Sequence, residues 1–223
     1  MQPITCIIPC HNGAATIRRA VQSALDAGCA NVLVYDDASS DGSYGIVHSL
    51  ERDTPLMVEC IASPLARVGA ATARNLLIER TDNTLLICLD ADDTLHNIAS
   101  LVEAWQPGTW VYGDHIETDG TQETYHKGVP IGSLRNKLVT GVTFLFHSDD
   151  WAIAGGFDSD FAYCEDYAFQ CALTHTGAHG VYVPTPVYTR HLKPDGNERT
   201  VLAGQYWTFY REMARRKYAS VFG

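Results

Sequence analysis

Within the first 94 residues an apolar run, a polar turn and an amphipathic segment follow one another four times, and this rhythm leaves few folds open. The run Ile4–Ile8 predicts a buried strand that ends at Pro9 and enters the turn Cys10-His11-Asn12-Gly13. Residues 14–27 carry Ala, Ile, Val and Leu at helical spacing, with Gly28 as the stop. A second strand over 31–37 runs into a turn rich in Asp, Ser and Gly, where Ser40 or Asp41 can cap a helix over 42–52. A third strand is expected over 56–61, a Gly-Ala-rich helix over 69–80, and the most apolar strand over 84–90. Repeated units of this kind build an α/β fold with a mainly parallel central sheet flanked by helices, because parallel strands need crossovers and the crossovers are right-handed. Ligands of such sheets bind beyond the carboxyl ends of the strands. Pro9–Asn12, Asp36–Asp37 and Asp90–Asp93 are therefore expected on one rim.

The rest of the chain is less regular. Strands are expected over 110–114, 123–127 (beside the first), 141–147, 181–184 and 186–191, and helices over 148–156, 166–176 and 199–218. No internal repeat and no low-complexity linker divides the 223 residues, which suits one domain. The net charge of −10 disfavours bulk binding to nucleic acid or anionic lipid. One basic cluster, Arg211, Arg215, Arg216 and Lys217, fits a solvated helix face at a C-terminus, or else a peripheral membrane or partner contact. Seven cysteines without a C-x-x-C pair, several inside apolar runs, read as small core hydrophobes of a protein in a reducing cytoplasm. The opening residues lack the charged and apolar regions of a signal peptide, and no apolar run approaches a membrane span.

Three constellations can carry chemistry. An apolar strand delivers Asp90, Asp92 and Asp93 to the rim, and three carboxylates so close repel one another unless a cation sits among them. Oxygen ligands suit Mg²⁺ or Mn²⁺, and a diphosphate can supply the remaining ones. The competing reading is a solvated acidic turn that caps the next helix. Asp36 and Asp37 end the second strand; Asp37 is the better ligand candidate, for base or ribose groups, and Asp41 fits a cap. Glu165 and Asp166 open a helix shortly after Gly155-Gly156-Phe157-Asp158, where the helix N-terminus favours an anionic base or a simple first-turn acidic pair. His191 ends a short strand and can complete a metal site or be structural. The other eight histidines show no i, i+3 or i+4 pairing and receive no role.

In chain order, I-I-P-C-H-N (7–12), V-Y-D-D-A-S-S-D-G-S (34–43), A-T-A-R-N (71–75), L-D-A-D-D (89–93), G-G-F-D (155–158) with E-D-Y (165–167), and Y-T-R-H (188–191) resemble the family 2 glycosyltransferases of the GT-A fold. Each motif is loose; the ordered set, over roughly residues 4–192, is specific. The resemblance implies a nucleotide-sugar-binding half over 1–94, an acceptor-binding half over 95–198 and a C-terminal helix over 199–223. It implies that Pro9, His11, Asn12 and Asp37 line the nucleotide pocket, that Arg74 sits near the donor, and that Asp90 faces the ribose or sugar. Asp92 or Asp93, with His191, would hold Mn²⁺ or Mg²⁺. Asp166 would deprotonate the acceptor hydroxyl, with Glu165 supporting acceptor binding. The implied reaction is a single in-line displacement that moves one sugar, with inversion, from a nucleotide-sugar (a UDP-sugar by default) to a glycan, lipid-linked saccharide or other hydroxyl. The expected location is cytoplasmic, with a peripheral membrane contact or a homodimer as options.

Two other readings compete. L-L-I-C-L-D-A-D-D-T-L resembles the first motif of haloacid-dehalogenase-type phosphatases, which would make Asp90 a nucleophile and Asp92 an acid/base. That motif normally opens its domain, whereas here about 90 residues of βα pattern precede it. A non-catalytic nucleotide-sugar-binding module on the same fold is the second. A dinucleotide-binding dehydrogenase is set aside, since the first turn lacks G-x-G-x-x-G. Gln205-Tyr206-Trp207 only echoes the Q-x-x-R-W of processive synthases.

Overall fold

The computed structural model describes residues 3–54, 57–63, 66–96, 98–193 and 198–222, and of 198–203 the backbone alone. Strands β1 (Ile4–Cys10), β2 (Asn31–Asp36), β3 (Val58–Ala62) and β4 (Leu85–Cys88) pair in the order β3-β2-β1-β4, all parallel. The expected start of the third strand, Leu56, lies outside the described residues. Helices α1 (Ile17–Asp26), α2 (Ser43–Asp53) and α3 (Ala70–Ile78) make the crossovers. Strand alternation sends Ile7, Leu86 and Cys88 into one core layer with Ala73 and Leu77 of α3. Cys6, Ile8, Leu85 and Ile87 go into the opposite layer with Ile17, Ala20 and Val21 of α1. Both faces are therefore covered, which is why these strands read as unbroken apolar runs. Each fully buried Leu or Ile contributes about 1.5–3 kcal/mol. All seven cysteines are free thiols, and only Cys60 among them is not buried.

The second half extends the same sheet and makes it mixed. Beyond β4 come β8 (Leu145–His147), antiparallel, then β6 (Thr109–Thr118), β9 (His179–His191) and the two-residue β5 (Thr94–Leu95); β7 (Glu123–His126) pairs with β6 as a hairpin. The two strands expected over 181–191 are one continuous strand, parallel to β6. Pro184 and Pro186 punctuate its sequence, and the register slips opposite them between Gly113 and His115. Only glycine fits at 113, since a Cβ there would lie 2.5 Å from the Thr185 carbonyl oxygen. Helices α5 (Ser148–Ala154), α6 (Glu165–His175) and α7 (Glu198–Lys217) fall close to expectation. Strand β5, α4 (Ala99–Ala104), a 3₁₀ turn over Ile131–Arg135 and α8 (Ala219–Phe222) were not anticipated, and β8 is shorter than the run 141–147. Among the described residues no helix is long and apolar enough to cross a membrane.

Candidate active site

The loops after β1 and β2 lock onto each other at the carboxyl edge of the sheet. The Asp37 N–H donates to the Cys10 carbonyl at 2.7 Å, and His11 Nδ1 lies 2.7 Å from the Asp37 carbonyl oxygen. Asn12, at φ 52°, accepts from the Ser40 N–H at 2.9 Å, while its own N–H donates to Ser39 Oγ at 2.9 Å. Asp41 accepts from the Ala14 N–H at 2.8 Å and the Ser43 N–H at 3.1 Å, so it links the two loops as well as serving the start of α2, whose N-cap is Gly42. The Asp37 carboxylate is buried and accepts from the N–H groups of Val68 (2.6 Å) and Gly69 (2.9 Å), just before α3. Pro9, His11, Asn12 and Asp37 thus form one connected rim. Asp37 fixes the approach to α3 in addition to whatever its remaining lone pairs receive.

Arg74 of α3 is the hub. It is 2% exposed, and its guanidinium donates to Asp90 Oδ1 at 2.7 Å and to Glu165 Oε1 at 3.0 Å, with the Phe157 ring 5.4 Å away. Burial alone would lower its pKa; the Asp90 and Glu165 carboxylates outweigh that and raise it. One cation thereby ties the end of β4 to the first turn of α6. Glu165 is buried against Arg74. Its neighbour Asp166 is half-buried, with Oδ1 accepting from the Tyr167 N–H at 2.8 Å. Burial, then the adjacent Glu165 charge, pushes the Asp166 carboxyl up to about 7.

The β4 turn holds the other carboxylates. Asp93 is buried, accepts from the His191 N–H at 3.0 Å, and is pushed up to about 8 by burial and by Asp90 and Asp92. Asp92 is half-exposed, with the Lys193 ammonium 3.0 Å from Oδ2 and its carbonyl bonded to Arg19 at 2.7 Å. The His191 ring sits 3.1 Å from Thr94 Oγ1, and burial followed by Arg19 lowers its pKa, which keeps the imidazole neutral. Carboxylate oxygens beside a neutral imidazole are donors of the kind that could hold a divalent cation. Asp92, Asp93 and His191 do not bring three ligand atoms within 4.8 Å of one another; among the described residues the one trio that does is His115, Glu117 and His126.

Sequence reasoning missed two things. Asn75, next to Arg74 in the A-T-A-R-N run, accepts from Trp151 Nε1 (3.0 Å) and the Phe157 N–H (2.8 Å) and donates to the Phe157 carbonyl (2.8 Å), which pins the Gly155-Gly156-Phe157 turn to α3. His115 and His126 have no helical spacing because they stand opposite one another across a hairpin, and His115-x-Glu117 is strand spacing. Cavities of about 340 Å³ (around Pro3, Asn31 and Thr84) and 300 Å³ (around Ile131 and His179) include none of the expected site residues.

The sequence profile described as Glycosyl transferase family 2 matches residues 5–164. No curated protein sequence matches. Several solved structures share the fold. The S. aureus protein TarS (residues 1–349), solved in complex with UDP, superposes with TM-score 0.68 at 16% identity over 86% of this chain and 61% of its own. Mannosyltransferase PcManGT from Pyrobaculum calidifontis, in complex with GDP-Man and Mn²⁺, gives 0.71 at 16% over 99% and 74%. GalNAc-T7 with UDP, GalNAc and Mn²⁺ gives 0.69 at 16% over 88% and 44%. The chain thus spans about three fifths of TarS residues 1–349, 37% of the longer TarS chain and less than half of GalNAc-T7.

Proposed function

Because this chain belongs to glycosyl transferase family 2 and has the GT-A fold, we propose that it transfers one sugar from a nucleotide-diphosphate sugar to an acceptor hydroxyl, with inversion. The observation that carries the reading is the Arg74 bridge, which holds the β4 carboxylate Asp90 beside the α6 pair Glu165 and Asp166. The matched family removes the phosphatase reading of Asp90 and Asp92. A non-catalytic module would bind the donor without turnover, an outcome the transfer assay separates from this reading.

In this reading the β1 and β2 loops, with His11, Asn12 and Asp37, receive the nucleotide, and Asp90, fixed by Arg74, faces the ribose or sugar. Asp92 and His191 would hold Mn²⁺ or Mg²⁺. Asp93, whose Oδ1 accepts from the His191 N–H, would steady that strand end beside the cation. When bound, the cation supplies Lewis-acid neutralisation of the departing diphosphate. Lys193, which pairs with Asp92, would yield its place. Asp166 takes the acceptor proton, in the pKa range where a base is both ionised and basic enough. Glu165 positions Asp166 and Arg74 without touching the acceptor. UDP is the default base, in line with the UDP bound by TarS and GalNAc-T7, while PcManGT carries GDP-Man.

Release of nucleoside diphosphate from a panel of nucleotide-sugars with Mn²⁺ tests the proposal. Asp92→Ala is expected to abolish it. Asp166→Asn is expected to spare donor binding and to lower transfer by 10²–10⁴-fold. Turnover undiminished in excess chelator would remove the metal from the scheme, and full activity of Asp166→Asn would remove the base.

A further inference from the structure

The β6–β7 hairpin places two imidazoles and a carboxylate together, well apart in sequence from every residue given a role above. His115 and His126 are cross-strand partners, so their side chains share a face, and Glu117 is two residues further along β6 on that same face. One ligand atom from each of the three lies within 4.8 Å of the other two. Glu117 Oε2 is 2.9 Å from His126 Nε2, a nitrogen shielded from solvent that makes no aligned hydrogen bond. Arg190 of β9 donates to the other oxygen, Oε1, at 2.9 Å. The carboxylate is thus oriented, with one oxygen held and the other turned to the histidines. The two rings lie parallel with centroids 4.8 Å apart, and Tyr188 stacks on His115 at 5.1 Å.

We propose that His115, Glu117 and His126 form a second metal site, for a borderline divalent ion of the Zn²⁺ class, distinct from the cation site at Asp92 and His191. Ligands of one tetrahedral Zn²⁺ at about 2.0–2.1 Å stand roughly 3.3 Å apart. The Glu117–His126 spacing of 2.9 Å is already close to that, and binding would require the His115 ring to turn out of its stack toward the other two, all three ligand atoms already lying within 4.8 Å. Two imidazoles with one carboxylate favour Zn²⁺, Co²⁺ or Ni²⁺ over the hard Mg²⁺. Arg190 is the outer partner that fixes the carboxylate, as metal ligands generally require. Bound there, the ion would tie β7 to β6 and stiffen the hairpin. This inference rests on hairpin geometry and stands whether or not the transferase reading holds.

The test uses metal-free protein carrying Asp92→Ala and His191→Ala, so that the cation site of the proposed reaction is gone. Zn²⁺ is titrated in competition with a chromophoric chelator, and Co²⁺ is followed by its visible absorption. One equivalent of Zn²⁺ is expected, with a tetrahedral Co²⁺ band, and His115→Ala and His126→Ala should each weaken binding at least ~10-fold. Glu117→Gln, which keeps the side-chain shape, should weaken binding and change the Co²⁺ spectrum; it decides the matter should a histidine variant fail to fold by circular dichroism. Absence of stoichiometric binding, or unchanged affinity in the folded variants, would reduce the trio to an ordinary Glu117–His126 ion pair and overturn the proposal.

Discussion

Removing the charge of Arg74 while keeping an unbranched apolar stem is the most informative single change in this chain. Arg74→Met deprives the buried Glu165 of the cation 3.0 Å away and Asp90 of the one at 2.7 Å. Breaking a buried pair from one side typically costs about 3–5 kcal/mol, because the surviving charge stays desolvated. The Asp90 side chain is half exposed, so its share is at most about 1 kcal/mol and lies within that range. For a domain of this size each kcal/mol moves the melting temperature by about 2–4 °C, so a fall on the order of 6–20 °C is expected. Thermal unfolding followed by circular dichroism at pH 7.5 measures it. The double variant Arg74→Met/Glu165→Met, which removes both buried charges, should recover a large part of the loss, whereas independent sites would add. Arg74→Lys should fall between, since an ammonium cannot bridge two carboxylates with a planar fork. A shift of less than about 3 °C for Arg74→Met, or simple additivity in the double variant, would refute the claim that one buried cation joins β4 to α6.

With the Asp166 carboxyl at about 7, transfer should rise with pH through neutrality and level off above about 8, because the ionised form is the base. Roughly one molecule in a hundred is ionised at pH 5, so the transfer rate there should be about fifty-fold below that at pH 7, with donor binding measured separately; a flat profile down to pH 5 contradicts the assignment. The sign for stability is opposite: a raised carboxyl stabilises the fold at acid pH and loses that contribution as pH climbs toward 7, so Asp166→Asn should melt no lower than the parent at pH 8. Gly156→Ala should destabilise by at least ~1–2 kcal/mol, since φ is 77° and the new Cβ would lie 2.9 Å from Asn75 Oδ1; Asn75→Ala, which frees that space but orphans Trp151 and Phe157, should cost a similar amount in denaturant unfolding.

The four parallel strands were legible because burial on both faces turns each into an apolar run. The carboxylates at their ends were legible because topology alone sends Asp37 and Asp90 to one rim. Strand β5 was not, since two residues carry no period, and its existence depends on β9 lying beside it. The split expected near residue 185 is absent, because an irregular parallel pairing absorbs Pro184 and Pro186. Within the site, Arg74 was marked only as a neighbour of the donor; that it reaches Glu165, 91 residues on, is a tertiary fact with no local signature. The His115–Glu117–His126 trio needs the hairpin register, which depends on how β6 and β7 pair.

Strand β9 has a bearing on which lengths of chain can survive between Val187 and His191. Alternation gives Tyr188 and Arg190 to the hairpin side and Thr189 and His191 to the side of Thr94 and His96. Loss or gain of a single residue there would exchange the two rows, presenting an arginine to the acidic turn and a histidine to Glu117. Insertions should therefore be tolerated only outside that stretch, while point changes within either row act on one side alone.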